Sequence, residues 1–231
     1  MLTNNLLYSI LVWAPGVLFA ITLHEWAHGF AASRYGDQTP ARMGRLTLNP
    51  LPHIDPVMTL LVPGLMLATS LIAMGTPFVF GSAKPVPVNA NNFRDRNGRR
   101  RTGTGLRVAM FWVAFAGPLV NFLLALGCAG LLHLLVVTAH TPPVLPVDML
   151  LAAIKMNVLL GVFNLFPLPP LDGGRMATAL LPPPLDQALA SLERIGMAVV
   201  LLLAFSGLLG AVLSPVLAAV TRLLIQIAIP R

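Results

Sequence analysis

The chain has 231 residues, of which 56% are hydrophobic and only 10% charged, with a mean hydropathy of +0.80. A soluble domain carries about 25% charged residues, so this chain has too few to cover a water-facing surface. Its formal charge is +7, but 13 of its 15 basic residues are arginines set in short loops beside apolar runs, the pattern of loops held on the cytoplasmic side of a membrane and not of a nucleic-acid surface.

The expected fold is an all-α polytopic membrane protein with about five to six transmembrane helices, and with a re-entrant hairpin or short strands after the first. Residues 1–231 are expected to form a single domain around a core of 6–180. The first helix is expected over 6–33. The opening "MLTNNLLYSILVWAPGVLFA" has neither the basic start nor the small-residue cleavage site of a secretory signal, so this helix should be retained. A loop rich in proline, glycine and asparagine follows, "RYGDQTPARMGRLTLNPLPHIDP", with arginines at 34, 42 and 45.

Residues 57–80 are apolar but broken by Pro63, Gly64, Gly75 and Pro77. The loops on either side, 34–56 and 81–106, are both arginine-rich and should lie on the same side. The stretch between them is therefore expected to enter the membrane and return, which requires shielding by protein or a water-filled cavity. A long apolar helix is expected over 107–138, then a loop over 139–149 without lysine or arginine. A fourth helix is expected over 150–166, ending in "NLFPLPPLDGGR", and C-terminal helical structure over 188–229 with a break around Gly207, Gly210 and Pro215. Cys128 is the only cysteine, which excludes an internal disulfide and a thiolate metal cluster; it reads as a packing residue.

The first helix carries "HEWAH" at 24–28. Residues i and i+4 share one helix face, so His24 and His28 can present two imidazoles to one zinc ion. Glu25 projects from the adjacent face and can take a proton from a zinc-bound water. With five histidines and two glutamates in the whole chain, a chance match is improbable, and ionisable groups at membrane depth mark function. A catalytic zinc needs a third protein ligand. His133 and His140 fall at the outer end of the third segment and in the outer loop. Asp55 and Asp148 read as loop or capping residues, and His53 as a non-ligand. Asp172 follows an apolar helix at a proline-rich break, with two glycines behind it that permit close backbone approach. A plain surface turn is the alternative for D-G-G. The out-and-back course of segments three and four returns Asp172 to the side towards which HEWAH lies, which favours it as the third ligand.

These motifs, with "FAGPLVN" at 115–121 and "FNLFPLPPLDGGR" at 163–175, resemble the site-2 protease family of intramembrane zinc metalloproteases. "LNPLPHIDP" and "GSAKPVPVN" resemble its short bacterial branch without PDZ or CBS domains. The resemblance implies one Zn2+ held by His24, His28 and Asp172, and Glu25 as general base. It implies further that Asn164 binds substrate or stabilises the oxyanion, and that Gly117 and Pro118 shape close packing beside the site. Asn121 belongs to a family motif and is a candidate substrate contact; a polar bond between helices is the equal alternative. Ser82 stands where the family pattern has tryptophan, and the chain starts too late for the further helix many members place before HExxH.

The expected activity is hydrolysis of peptide bonds within or near transmembrane segments, by an enzyme of the bacterial inner membrane whose site faces the cytoplasm. Its partners would be a transmembrane substrate and the lipid bilayer, with no nucleic acid. Val86 and Val88 are expected to bind an unwound substrate by strand addition. A metal transporter using the same ligands, or a catalytically inactive membrane binding protein, are the rival readings. The sparse polar residues in segments three to five argue against transport.

Overall fold

The computed structural model describes residues 6–62, 65, 81 and 83–229. Helix α1 (Leu6–Arg34) is an apolar rod with Pro15 inside it. It ends where Gly36 takes a left-handed φ of 98° and the Asp37 N–H returns to Ala32 O at 3.0 Å, a glycine-type C-cap. A short helix α2 (Thr39–Arg42), a 3-10 turn at Leu51–His53 and a π-type turn at Pro56–Leu61 follow. Asp55 caps that last turn, accepting from the N–H groups of Val57 and Met58 at 2.9 Å. The expected re-entrant hairpin over 57–80 lies, from residue 63 on and Leu65 apart, outside the described residues, as does Ser82.

Helix α3 (Gly103–Thr138) begins four residues before the expected third segment and runs through Pro118. Helix α4 (Val144–Asn164) begins six residues early and takes in much of the expected loop 139–149. Pro146 allows this because it lies in the first turn, where its missing N–H has no intrahelical partner to lose. Asp148 is thus a helix residue, not a loop one, and accepts the Tyr8 hydroxyl at 2.6 Å. Helix α5 (Asp172–Leu180) opens with the DGG of the LDGG motif, and α6 (Leu185–Ser191), α7 (Glu193–Phe205) and α8 (Leu208–Ala228) follow. The C-terminal break falls at Gly207, with φ 75°, while Pro215 stays inside α8.

Among the described residues α1, α3, α4 and α8 are each long and apolar enough to cross a membrane. The number is five if α6 and α7, bent by 66°, make one broken span. Leu7, Phe19, Leu123, Leu134, Leu202 and Leu223 stand exposed along these helices, as a lipid-facing surface requires. The only β pairing among the described residues is an isolated bridge between Arg94 and Arg100.

Helices α1, α3 and α4 pack mutually and α8 packs on α3 and α4. One buried cluster joins Ala125, Leu132, Ile154, Val158, Val200, Leu209 and Leu224 across α3, α4, α7 and α8. A second, Ala32, Phe93, Ala109 and Val113, fastens the chain around residue 93 between the end of α1 and the start of α3. At this same end Arg107 of α3 reaches Ala179 O at 3.0 Å and Asp186 at 3.2 Å. The Tyr8–Asp148 bond ties the starts of α1 and α4 together at the other end.

Candidate metal centre

His24 and His28 lie one turn apart on the face of α1 that meets α3. The ring of His28 turns its Nδ1 to Val113 O at 2.7 Å, and His24 turns its Nδ1 to Asn121 Oδ1 at 2.6 Å. A carbonyl only accepts, so His28 Nδ1 carries the proton. The Asn121 amide is oriented by its other half: Nδ2 donates to Ala20 O at 3.2 Å and to Asn157 Oδ1 at 3.0 Å. Oδ1 therefore faces His24, whose Nδ1 must also be the donor. In the neutral rings both Nε2 atoms then present lone pairs to one point.

Those lone pairs converge with a carboxylate. Asp172 Oδ2 is 3.1 Å from His24 Nε2 and 3.2 Å from His28 Nε2, and the two nitrogens are 3.1 Å apart. The oxygen is buried and has no hydrogen-bond partner. With both rings neutral, these atoms are three acceptors at one point, and a cation among them offsets their repulsion. Their spacing is close to the roughly 3.3 Å edge expected between neighbouring ligands of a tetrahedral zinc. Two imidazoles, one carboxylate and committed Nδ1–H groups behind the rings form a donor set that fits zinc.

Asp172 gets there by unusually close backbone packing. A Cβ on Gly173 would fall 2.2 Å from Leu165 O, one on Gly174 2.1 Å from the Pro169 nitrogen, and one on Gly196 of α7 1.8 Å from Pro169 O. The LPP turn is thus pressed between the start of α5 and α7. On the other side Gly117 of α3 lets the histidines approach, since a Cβ there would lie 2.4 Å from His28 Nε2.

Glu25 leaves the same turn of α1 and accepts the Val86 N–H on Oε2 at 2.8 Å. The segment that brings Val86 is held from both ends. Lys84 N–H donates to His53 O at 3.0 Å, and buried Arg45 donates to the carbonyls of Lys84 and Pro85. Further on, Asp37 accepts from Asn89 N–H at 2.7 Å and from the Asn92 amide at 2.9 Å. Burial opposes the charge on Asp37, and hydrogen bonds from Thr39, Asn89 and Asn92 overcome it, holding its carboxyl below the usual value. The N–H groups of Met58 and Val57 lower the Asp55 carboxyl in the same way.

The structure therefore brings together His24, His28 and Asp172, with Glu25 beside them. Asn121 is fully buried behind His24, with both ends of its amide engaged. Val86 is 8% exposed and its N–H is taken by Glu25, while Val88 packs against the cluster around Phe93. Asn164 donates to Leu160 O in its own helix at 3.0 Å. His53 is buried, gives its Nε2 to Thr47 O at 3.0 Å, and is not among the metal-ligand cluster. Asn157, Gly196 and Arg45 were not singled out by sequence. Asn157 had a signal, an amide amid the apolar run of α4; Gly196 and Arg45 had none, since their partners are backbone atoms distant in the chain.

Fold and site define an integral membrane protein with a largely buried His–His–Asp cluster that could hold a metal ion, and with an adjacent carboxylate. The profile of peptidase family M50 matches residues 139–204. The chain is 35% identical over 209 residues to "Putative zinc metalloprotease YwhC" of Bacillus subtilis, covering 88% of this chain and 84% of that protein. It is 32% identical over 188 residues to "Putative zinc metalloprotease Rip2" of Mycolicibacterium smegmatis, covering 81% of this chain and 64% of Rip2. No solved structure matches. The chain belongs to peptidase family M50, the site-2 protease family of intramembrane zinc metalloproteases.

Proposed function

We propose that residues 1–231 act as one intramembrane protease domain, hydrolysing peptide bonds within or at the edge of transmembrane segments of other membrane proteins. The observation that carries this reading is the convergence of His24 Nε2, His28 Nε2 and Asp172 Oδ2 next to Glu25. His24, His28 and Asp172 hold the metal in this reading. Bound there, zinc supplies a Lewis acid and brings the pKa of water towards ~7.

The chain's own groups do the rest. Asn121 and Val113 O fix the two imidazoles in the tautomer that ligates. Glu25 is the general base: with Oε2 on the Val86 N–H, its other oxygen is left to take the proton of the attacking water and deliver it to the leaving amine. Asn164 donates to the developing oxyanion, for which its amide turns away from Leu160 O. The substrate helix unwinds to expose its carbonyl, and the Val88 backbone is the part of the 83–88 segment assigned to it. In this reading the Asp37–Arg107 end of the bundle lies in the cytoplasm of a bacterial cell, with the site towards that side, which the arginine-rich loops support.

The test is to reconstitute the protein with single-span membrane proteins and compare wild type with Glu25→Gln. The variant should retain zinc and lose cleavage. Equal cleavage by both removes the general-base assignment; metal flux without cleavage means a transporter.

A further inference from the structure

Lys155 is one of only two lysines in the chain, and it lies at the middle of a membrane-spanning helix with its side chain exposed. It is 11 residues from Val144 and 9 from Asn164, so about 16 Å and about 13 Å from the ends of α4 at 1.5 Å per residue. Neither distance can be bridged by a four-carbon stem snorkelling to the interface. The bundle-facing side of α4 is elsewhere: Ala153 meets Gly16 of α1, Asn157 meets Asn121, and Gly161 meets Phe122 of α3. Lys155 points away from these, next to exposed Leu159, and makes no hydrogen bond or ion pair with the described residues.

Cations inside transmembrane helices almost always face the bundle interior or a watery cavity and are paired. Among the described residues Lys155 is neither inward nor paired, and the remaining residues include no aspartate or glutamate, so its counter-charge has to come from another molecule. A second copy of this chain does not supply it. The acids of the four spans are Glu25, bonded to Val86 at the site, and Asp148, bonded to Tyr8 near the start of α4.

We propose that the outer face of α4 around Lys155 and Leu159 docks a transmembrane helix of another membrane protein, one that carries an aspartate or glutamate near its midpoint. The ammonium–carboxylate pair forms in hydrocarbon and selects both the partner and its depth. This inference stands independently of the protease reading, since it concerns association and not turnover.

The test uses the full chain in phosphatidylcholine vesicles with a synthetic Leu–Ala single-span peptide bearing one central Glu, and energy transfer as the readout. Wild type should bind this peptide roughly tenfold more tightly than the same peptide with Gln, the size of one interhelical polar contact. Lys155→Met should erase the preference, and Lys155→Glu should transfer it to a peptide with central Lys. Equal binding of the Glu and Gln peptides by wild type overturns the proposal without reference to any variant. So does a Glu preference that survives Lys155→Met, or self-association of wild type that the same substitution abolishes.

Discussion

The Val86 N–H donates to Glu25 Oε2 at 2.8 Å, so the carboxylate proposed as general base is oriented by a backbone group 61 residues away. The two flanking residues are Pro85 and Pro87, which have no N–H and already hold the chain extended. The donor that strand addition would need at this point is therefore spent on the enzyme's own carboxylate.

Val86→Pro removes that single donor while the neighbouring prolines keep the backbone path. With Val86→Ala as the side-chain control, the proline variant should lose about ten- to a hundredfold in kcat, the range for one hydrogen bond to a charged group, with KM and zinc content little changed. Val88→Pro separates the two roles. If Val88 pairs with an unwound substrate its proline variant should raise KM, and an unchanged KM withdraws it from substrate binding. A rise in kcat for Val86→Pro would mean instead that the bond holds Glu25 idle.

Asn121 is placed to decide the tautomer of His24. Asn121→Ala should weaken zinc binding by about ten- to a hundredfold, read by competition with a chelator. Asn121→Asp keeps an acceptor for His24 Nδ1–H and should restore most of it. Asn157→Ala acts one bond further out and should have a smaller effect in the same assay. Equal affinities across the three variants would mean that His24 is oriented by packing alone.

The local chemistry was legible in the sequence because a helix fixes the relation between His24, Glu25 and His28 without reference to the rest of the fold. Asp172 was legible too, since its proline and glycine neighbours announce a break at the end of an apolar run. What the sequence does not show depends on contacts between distant segments. Asn121 has the same side chain whether it meets substrate or a histidine, and only the Ala20 and Asn157 acceptors show which. Gly196 and Arg45 touch backbone atoms, which carry no residue-type signature. Helix α4 starts at Val144, inside the expected loop 139–149 and just after Pro142 and Pro143, because a helix tolerates Pro146 in its first turn.

Gly196 tests how far the centre extends. It lies on α7, beyond the LDGG turn, yet a Cβ there would sit 1.8 Å from Pro169 O, and backbone cannot step aside as a flexible side chain can. Gly196→Ala should push the LPP turn and displace Asp172, costing about 1–3 kcal/mol as an overpacked contact does and lowering zinc occupancy. Gly127→Ala, in α3 where a Cβ meets nothing, is the control expected to retain both. Unaltered zinc content in the Gly196 variant would detach α7 from the metal centre.

Asp37 makes the arm that carries Val86 sensitive to acid. Its folded carboxyl lies below the unfolded value of about 3.9, so the stability it contributes is present above about pH 4 and is lost as pH falls through the folded value. Protonation removes the charge that receives Asn89 N–H and the Asn92 amide, and the 83–93 segment should loosen from α1 while the apolar helices stay packed. Protection against amide hydrogen exchange at Asn89 and Phe93, taken relative to the free-chain rate at each pH, should therefore fall below about pH 4 in wild type. Asp37→Asn should show low protection at Asn89 already at neutral pH, with little further change on acidification. If wild type kept one level of protection across this range, the segment would be held by the Phe93 cluster and by Arg45, with Asp37 adding nothing measurable.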